Sequence, residues 1–245
     1  MAKLKNLELQ NKVILVSGGS KGIGLAISEC LAQEGAIPFV VSRNLASLNE
    51  MQQSFNKKKW PLGTFQAELT QPEACTTAVE EVVKRFGRLE GLVNNAGVND
   101  TVGLEKGNYK AFVASLHRNV VHYYLLAQRA LPFLKKTKGA IVNIGSKVAT
   151  TGQGNTSGYA AANGGRNALT REWALELLPY IILVNAVIVA ESFTPLYEKW
   201  INTLTNPEET LKQITEKIPL ENRMTDPMEI ANMVAFLLSN RSSHT

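Results

Sequence analysis

Apolar residues follow two alternating rhythms along this chain. Short, mostly apolar runs at 12–17 (KVILVS), 36–42 (AIPFVVS), 62–67, 89–93, 139–144 and 183–189 read as strands, the first a buried one. Between them, apolar positions recur three and four residues apart. That spacing predicts helices at 25–35, 45–58, 72–86, 109–134 and 157–178, and two more at 207–218 and 227–238. Gly35 stops the first helix and Pro72 opens the third. Residues 190–200 read as a loop entering a short helix. Strand and helix in strict alternation predict an α/β fold: one doubly wound parallel sheet with helices on both faces. Residues 1–245 read as one domain, with a substrate loop and helix at about 190–220. No repeat, linker or low-complexity stretch interrupts it. Ligands in such sheets bind beyond the carboxyl ends of the strands. Gly18–Gly24, Arg43, Glu68, Asn95, Ser146 and 189–194 all follow strands, so they are expected at one edge.

Four strand ends carry candidate binding chemistry. The first leads into Gly18-Gly19-Ser20-Lys21-Gly22-Ile23-Gly24 and then a helix. Glycines let backbone approach a pyrophosphate, and a helix N-terminus offers free N–H groups. The other reading is a glycine turn with no ligand. Arg43 follows the second strand, where a dinucleotide fold reads the ribose. A guanidinium there matches a 2′-phosphate. With Lys21 as a second cation, the pair favours NADP(H) and leaves NAD(H) open. The bland reading of Arg43 is a solvated loop charge. Glu68 and Leu69 end the third strand, where an adenine edge would lie, and Asn94-Asn95-Ala96-Gly97 ends the fourth.

The stretch 139–163 carries the candidate reaction chemistry. A buried strand runs into a polar loop holding Ser146, and Tyr159 then opens a helix. A hydroxyl and a phenol could converge on one substrate oxygen, Ser146 donating and Tyr159 moving the proton. Read locally, the same residues are a turn and a surface tyrosine. Tyr159 and Asn163, four apart, share a helix face. Asn119 sits mid-helix among apolar neighbours, either as a structural amide or as an active-site amide holding a water.

Composition narrows the function classes. The net charge of +5 comes from scattered cations, apart from the runs Lys57–Lys59 and Lys135–Lys136. This argues for no nucleic-acid groove. Cys30 and Cys75 lie inside helical patterns and read as buried free thiols, which suits the cytoplasm. His117, His122 and His244 have no ligand spacing, so no metal site is expected. The first twelve residues lack a signal peptide's apolar run, and the run at 181–190 is too short to span a membrane.

The motifs together resemble the short-chain dehydrogenase/reductase family across nearly the whole chain. SGGSKGIG is similar to its TGxxxGIG motif, with Ser17 in the Thr place, and NNAG matches outright. Asn119, Ser146 and Tyr159 fall at the positions of the family's catalytic Asn, Ser and Tyr. The resemblance implies hydride transfer at the nicotinamide C4, with Tyr159 as acid/base and Ser146 orienting the substrate oxygen. It also implies a proton-relay water on Asn119, Val189 and Thr194 against the nicotinamide carboxamide, and a homodimer or homotetramer. Four further segments, HRNVVHYYLLAQRALP, TGQGNTSGYAAA, ALTREWALELLPY and VAESFTPLYEKWI, resemble sugar dehydrogenases of the L-fucose type. Those oxidise an aldose to a lactone, and the resemblance implies substrate contacts from Gln153, Asn155, Glu191 and Trp200.

The chain departs from the family in three places. YxxxK reads Tyr159-Ala-Ala-Ala-Asn163, so the motif lysine is missing. A nearby ammonium favours a phenolate, and losing it is worth roughly 3 to 4 kcal/mol. Asn163 could still hydrogen-bond the nicotinamide ribose. This leaves an impaired or non-catalytic nucleotide-binding relative as the alternative, and Asn163→Lys is expected to raise activity if the missing charge is the cause. Lys147, beside Ser146, is not expected to replace it. The family's GIRVN reads Ile181-Ile182-Leu183-Val184-Asn185, and its last strand is expected to be absent, since the sequence stops at Thr245.

Overall fold

The computed structural model describes residues 7–245, so the first six of the residues read for a signal peptide lie outside it. Six strands form one parallel sheet in the order β3-β2-β1-β4-β5-β6. They are β1 (Val13–Ser17), β2 (Ile37–Ser42), β3 (Gly63–Gln66), β4 (Gly91–Asn94), β5 (Ala140–Ser146) and β6 (Leu183–Val189). The helices are α1 (Gly22–Gln33), α2 (Leu45–Lys58), α3 (Pro72–Phe86), α4 (Tyr109–Leu116), α5 (His122–Thr137), α6 (Ser157–Glu176), α7 (Pro195–Ile201), α8 (Pro207–Thr215) and α9 (Pro227–Leu237). The doubly wound α/β architecture is therefore the expected one. Among the described residues β6 forms one edge of the sheet.

Successive residues of each strand point to opposite faces, and each face has its own core. Ile14, Val16, Val40 and Val142 pack with Ile27, Leu31 and Val234 of α1 and α9. Leu15, Phe39, Val41 and Ile141 pack with Val79, Leu126 and Trp173 of α3, α5 and α6. Burying each such side chain is worth about 1.5–3 kcal/mol, which is why the central strands read as mostly apolar runs, whereas β3 and β6 are only partly buried. Cys30 and Cys75 are buried free thiols, both pushed up to about 11 by burial.

Two departures from the sequence reading shape the functional edge. The helix expected at 109–134 is two helices joined by a π-helical stretch, His117–Val121. There the His122 ring meets the His117 carbonyl at 3.2 Å and the Ala96 carbonyl at 3.1 Å. Asn119 and His122 are both buried at this wider turn, a feature frequent at functional sites. Second, Ser146 is not in a loop. β5 runs on through it because β6 pairs with it as far as Ser146↔Val189. Among the described residues no helix is long and apolar enough to cross a membrane, and no group of three or more His, Cys, Asp or Glu could hold a metal ion.

Candidate active site

The sheet order reverses between β1 and β4, so the loops leaving their carboxyl ends diverge and open a crevice. A cavity of about 360 Å³ lies there. Its walls are the glycine loop (Gly18, Lys21, Gly22, Ile23, Gly24), Asn95–Asn99, Ile144–Ser146, Tyr159 and Arg166 of α6, and the segment after β6. From the end of β6 comes Val189, and from that segment Glu191, Ser192, Thr194, Leu196 and Tyr197. A second cavity beside it, about 140 Å³, is lined by Gly18, Arg43, Glu68, Leu69, Ala96 and Gly97, among others.

Backbone contacts fix the glycine loop. Gly18 has φ +65°, a left-handed conformation that favours glycine. A Cβ on Gly24 would meet the Gly18 carbonyl oxygen and lie 2.6 Å from Asn95 Nδ2. Asn95 donates to the Ser17 and Gly18 carbonyls at 3.0 and 3.2 Å. Ser17 Oγ accepts from the Asn95 and Ala96 amides at 2.9 and 3.1 Å. No side chain caps the first turn of α1, so its N–H groups and positive dipole end stay available to an anion. Ser20 points elsewhere, its hydroxyl meeting Ser42 and Ser47. Thr194 caps α7 through the Tyr197 amide, and its Cβ would lie 3.4 Å from a Cβ on Gly22. The buried Ser192 hydroxyl, on the cavity wall, has no protein partner among the described residues.

Arg43 is exposed and pairs with Glu68 at 3.4 Å. Partial burial works upward on the Glu68 carboxyl, but hydrogen bonds from Thr70 and the Arg43 charge outweigh it and hold it below the usual range. Lys110, His117 and Arg118 line the groove beyond this pair.

At the other end, Ser146 and Tyr159 are half-buried on the same cavity wall. Asn119 is fully buried and engaged: Oδ1 accepts from the Val98 amide at 2.8 Å, and Nδ2 donates to the Ser115 carbonyl at 3.0 Å. Asn163 does not line the cavity. It is fully buried, with Nδ2 on the Tyr159 carbonyl at 2.9 Å and Oδ1 accepting from Arg166 at 3.1 Å. Glu191 pairs with Lys147. Gln153, Asn155 and Trp200 lie exposed outside the cavity lining, Trp200 packing on Tyr197. Burial and the Glu191 charge push Tyr197 up to about 12.

Sequence reasoning missed Leu196, Tyr197 and Arg166. The first two follow a stretch of irregular chain, in a segment whose resemblance pointed to Glu191 and Trp200 instead. Arg166 did leave a signal: a cation three residues after Asn163 and seven after Tyr159, on the helix face that also carries Ala162 and Trp173.

Residues 12–204 match the short chain dehydrogenase family. L-fucose dehydrogenase of Rattus norvegicus is 34% identical over 231 residues, covering 93% of this chain and 83% of the relative. Among solved structures, Cj0485 dehydrogenase is 38% identical with a TM-score of 0.91, covering 98% of this chain and 91% of that one. NAD+-bound xylitol dehydrogenase is 28% identical, also with a TM-score of 0.91, over 97% and 96% of the two chains.

Proposed function

From the premise that this chain belongs to the short-chain dehydrogenase family, we propose that it oxidises a sugar or other secondary alcohol with a nicotinamide dinucleotide. The substrate class we favour is an aldose taken to its lactone, as the name of the L-fucose relatives suggests. One observation carries the reading: glycine loop, Ser146, Tyr159 and Thr194 all line a single cavity at the carboxyl edge of the sheet.

The residues present fit such a cofactor. Gly18 and Gly24 leave room for backbone approach, the first turn of α1 is uncapped, and Ser192 offers an unpartnered hydroxyl. Gly18, Lys21, Gly22, Ile23 and Gly24 would hold the pyrophosphate, supported by Ser20 through β2. Asn95, Ala96 and Gly97 would flank the ribose, Leu69 and Glu68 the adenine, and Val189 and Thr194 the nicotinamide end. Bound there, the cofactor supplies a hydride acceptor. Ser146 Oγ holds the substrate oxygen, Tyr159 Oη takes its proton, and the segment at about 190–220 closes the substrate side. Arg43 and Lys21 favour NADP(H) over NAD(H); Glu68 competes for Arg43, so the preference is modest. Asn119 acts through the main chain of Val98, its side chain being occupied by protein partners. Assembly as a homodimer or homotetramer belongs to this reading and is checked by light scattering.

The test is titration of NADPH and NADH by fluorescence, followed by assays of L-fucose and related aldoses from pH 7 to 10. Binding of either cofactor with aldose turnover supports the proposal. Cofactor binding without turnover on a broad aldose and alcohol panel sinks it. That result favours the second reading, a non-catalytic nucleotide-binding relative, for which the neutral Asn163 in the lysine place is the motivating observation.

A further inference from the structure

A buried charge is costly unless it is paired, hydrogen-bonded or put to use. Arg166 is only 3% exposed, and no carboxylate among the described residues pairs with it. Its partners are neutral. Nε donates to the Asn119 carbonyl at 2.6 Å. Nη1 donates to the Ile144 carbonyl at 3.0 Å and to Asn163 Oδ1 at 3.1 Å. Nη2 reaches Asn119 Oδ1 at 3.4 Å. The guanidinium carbon lies 4.3 Å from the Tyr123 ring centre. A guanidinium carries five N–H donors and cannot be deprotonated in a protein. The seat therefore satisfies most of its hydrogen bonds without neutralising its charge. Its place depends on Gly97, where a Cβ would lie 2.6 Å from Nη2.

Tyr159, Asn163 and Arg166 follow one face of α6 at spacings of four and three. Helical side chains lean toward the N-terminus. Arg166 accordingly reaches back one turn, and its charge comes to rest at the tip of residue 163. Both Arg166 and Tyr159 line the cavity.

We propose that the Arg166 guanidinium is the cation of this centre, occupying from one turn further along α6 the place of the family's missing lysine, with Asn163 as its neutral clamp. This rests on the reading of Tyr159 as acid/base. Arg166 is then a positioning residue: it sets a fixed positive charge on the cavity wall that also carries Tyr159, and being unable to release a proton it takes no part in a relay. The other charges around the cavity do not supply this field. Lys147 is paired with Glu191, and Arg118 with Asp100. His122 of α5 is neutral near pH 7, and Tyr123 beside it is held protonated by burial. Tyr197 of α7 is likewise pushed up. Lys21 is an exposed cation in the glycine loop.

With Arg166 in this place, Asn163→Lys sets a second cation against the first, so alone it should damage the protein. The experiment compares the wild-type chain with Arg166→Met, Arg166→Lys, Asn163→Lys and the double variant Asn163→Lys/Arg166→Met. Urea unfolding, NADPH and NADH titration, and rate against pH are measured on each. Asn163→Lys is expected to lower the folding equilibrium constant about 10-fold or more when Arg166 is present and far less in the Arg166→Met background. Here that constant is the ratio of folded to unfolded chain. Arg166→Met is expected to lower kcat at pH 7 about 10-fold or more, with recovery about one pH unit higher, while KM moves less. Arg166→Lys should retain an intermediate rate. Absence of coupling between positions 163 and 166 overturns the proposal, as does a wild-type pH profile for Arg166→Met. Coupling in stability with no turnover from any version leaves Arg166 in the lysine's place and removes the dehydrogenase reading instead.

Discussion

At the β1 end of the cavity the wall is main chain; at the α6 end it is side chains around a buried charge. The glycine loop is held by close backbone contact, with Asn95 and Ser17 tying β1 to β4 through four hydrogen bonds. The α6 end holds its guanidinium by two backbone carbonyls and two amide oxygens. The first arrangement recognises an anion by shape and free N–H groups, so it tolerates little added volume. The second sets a field, so it tolerates changes of shape that preserve charge. Substitutions at the two ends should accordingly fail in different assays.

The largest separation is expected from Tyr159→Phe. It removes the proton carrier, and turnover should fall about 1000-fold while cofactor affinity changes far less. Stopped assays alongside fluorescence titration check it; equal losses in both would erase the distinction between the two ends. Gly24→Ala should do the reverse. Its new Cβ meets the Gly18 carbonyl oxygen, and cofactor dissociation constants should rise about 100-fold, read by the same titration.

His122 sharpens the α6 side through pH. Burial, followed by the Arg166 charge, lowers its pKa from 6.5 to about 4. Between those values the unfolded chain binds more protons than the folded one. Stability is therefore complete above about pH 6.5 and declines as the pH falls toward 4, by on the order of 3 kcal/mol in all. Urea unfolding at pH 7, 6 and 5 should show this slope, and His122→Gln should flatten it.

Ser17→Ala strips the acceptor from the Asn95 and Ala96 amides, so stability should drop by about 2 kcal/mol, with weaker cofactor binding. Asn44→Ala is the smallest change. It removes the cap that accepts from the Ser47 amide at 2.9 Å, costing about 1 kcal/mol of thermal stability and no turnover.

What the sequence determined by itself was local and periodic. Mostly apolar runs marked the strands, of which β1, β2, β4 and β5 are buried on both faces, and strand-helix alternation implied the parallel order. The glycine loop was legible because its strand, turn and helix are contiguous. Tyr159 and Asn163 share a face because helical spacing alone puts them there. The tertiary structure decided the rest. Ser146 belongs to β5 because β6 pairs that far, a fact no run of neighbours records. The π-helical stretch that seats Asn119 involves the Ala96 carbonyl of a distant strand end. Gln153, Asn155 and Trp200 looked like sugar contacts by resemblance, yet they sit outside the cavity lining. Above all, Arg166 reads in sequence as one more helical cation. Its destination depends on carbonyls from Asn119 and Ile144, 47 and 22 residues away. Periodicity reports which face a residue occupies, whereas the seat of a long charged side chain is set by the acceptors that non-local packing brings within reach of its tip.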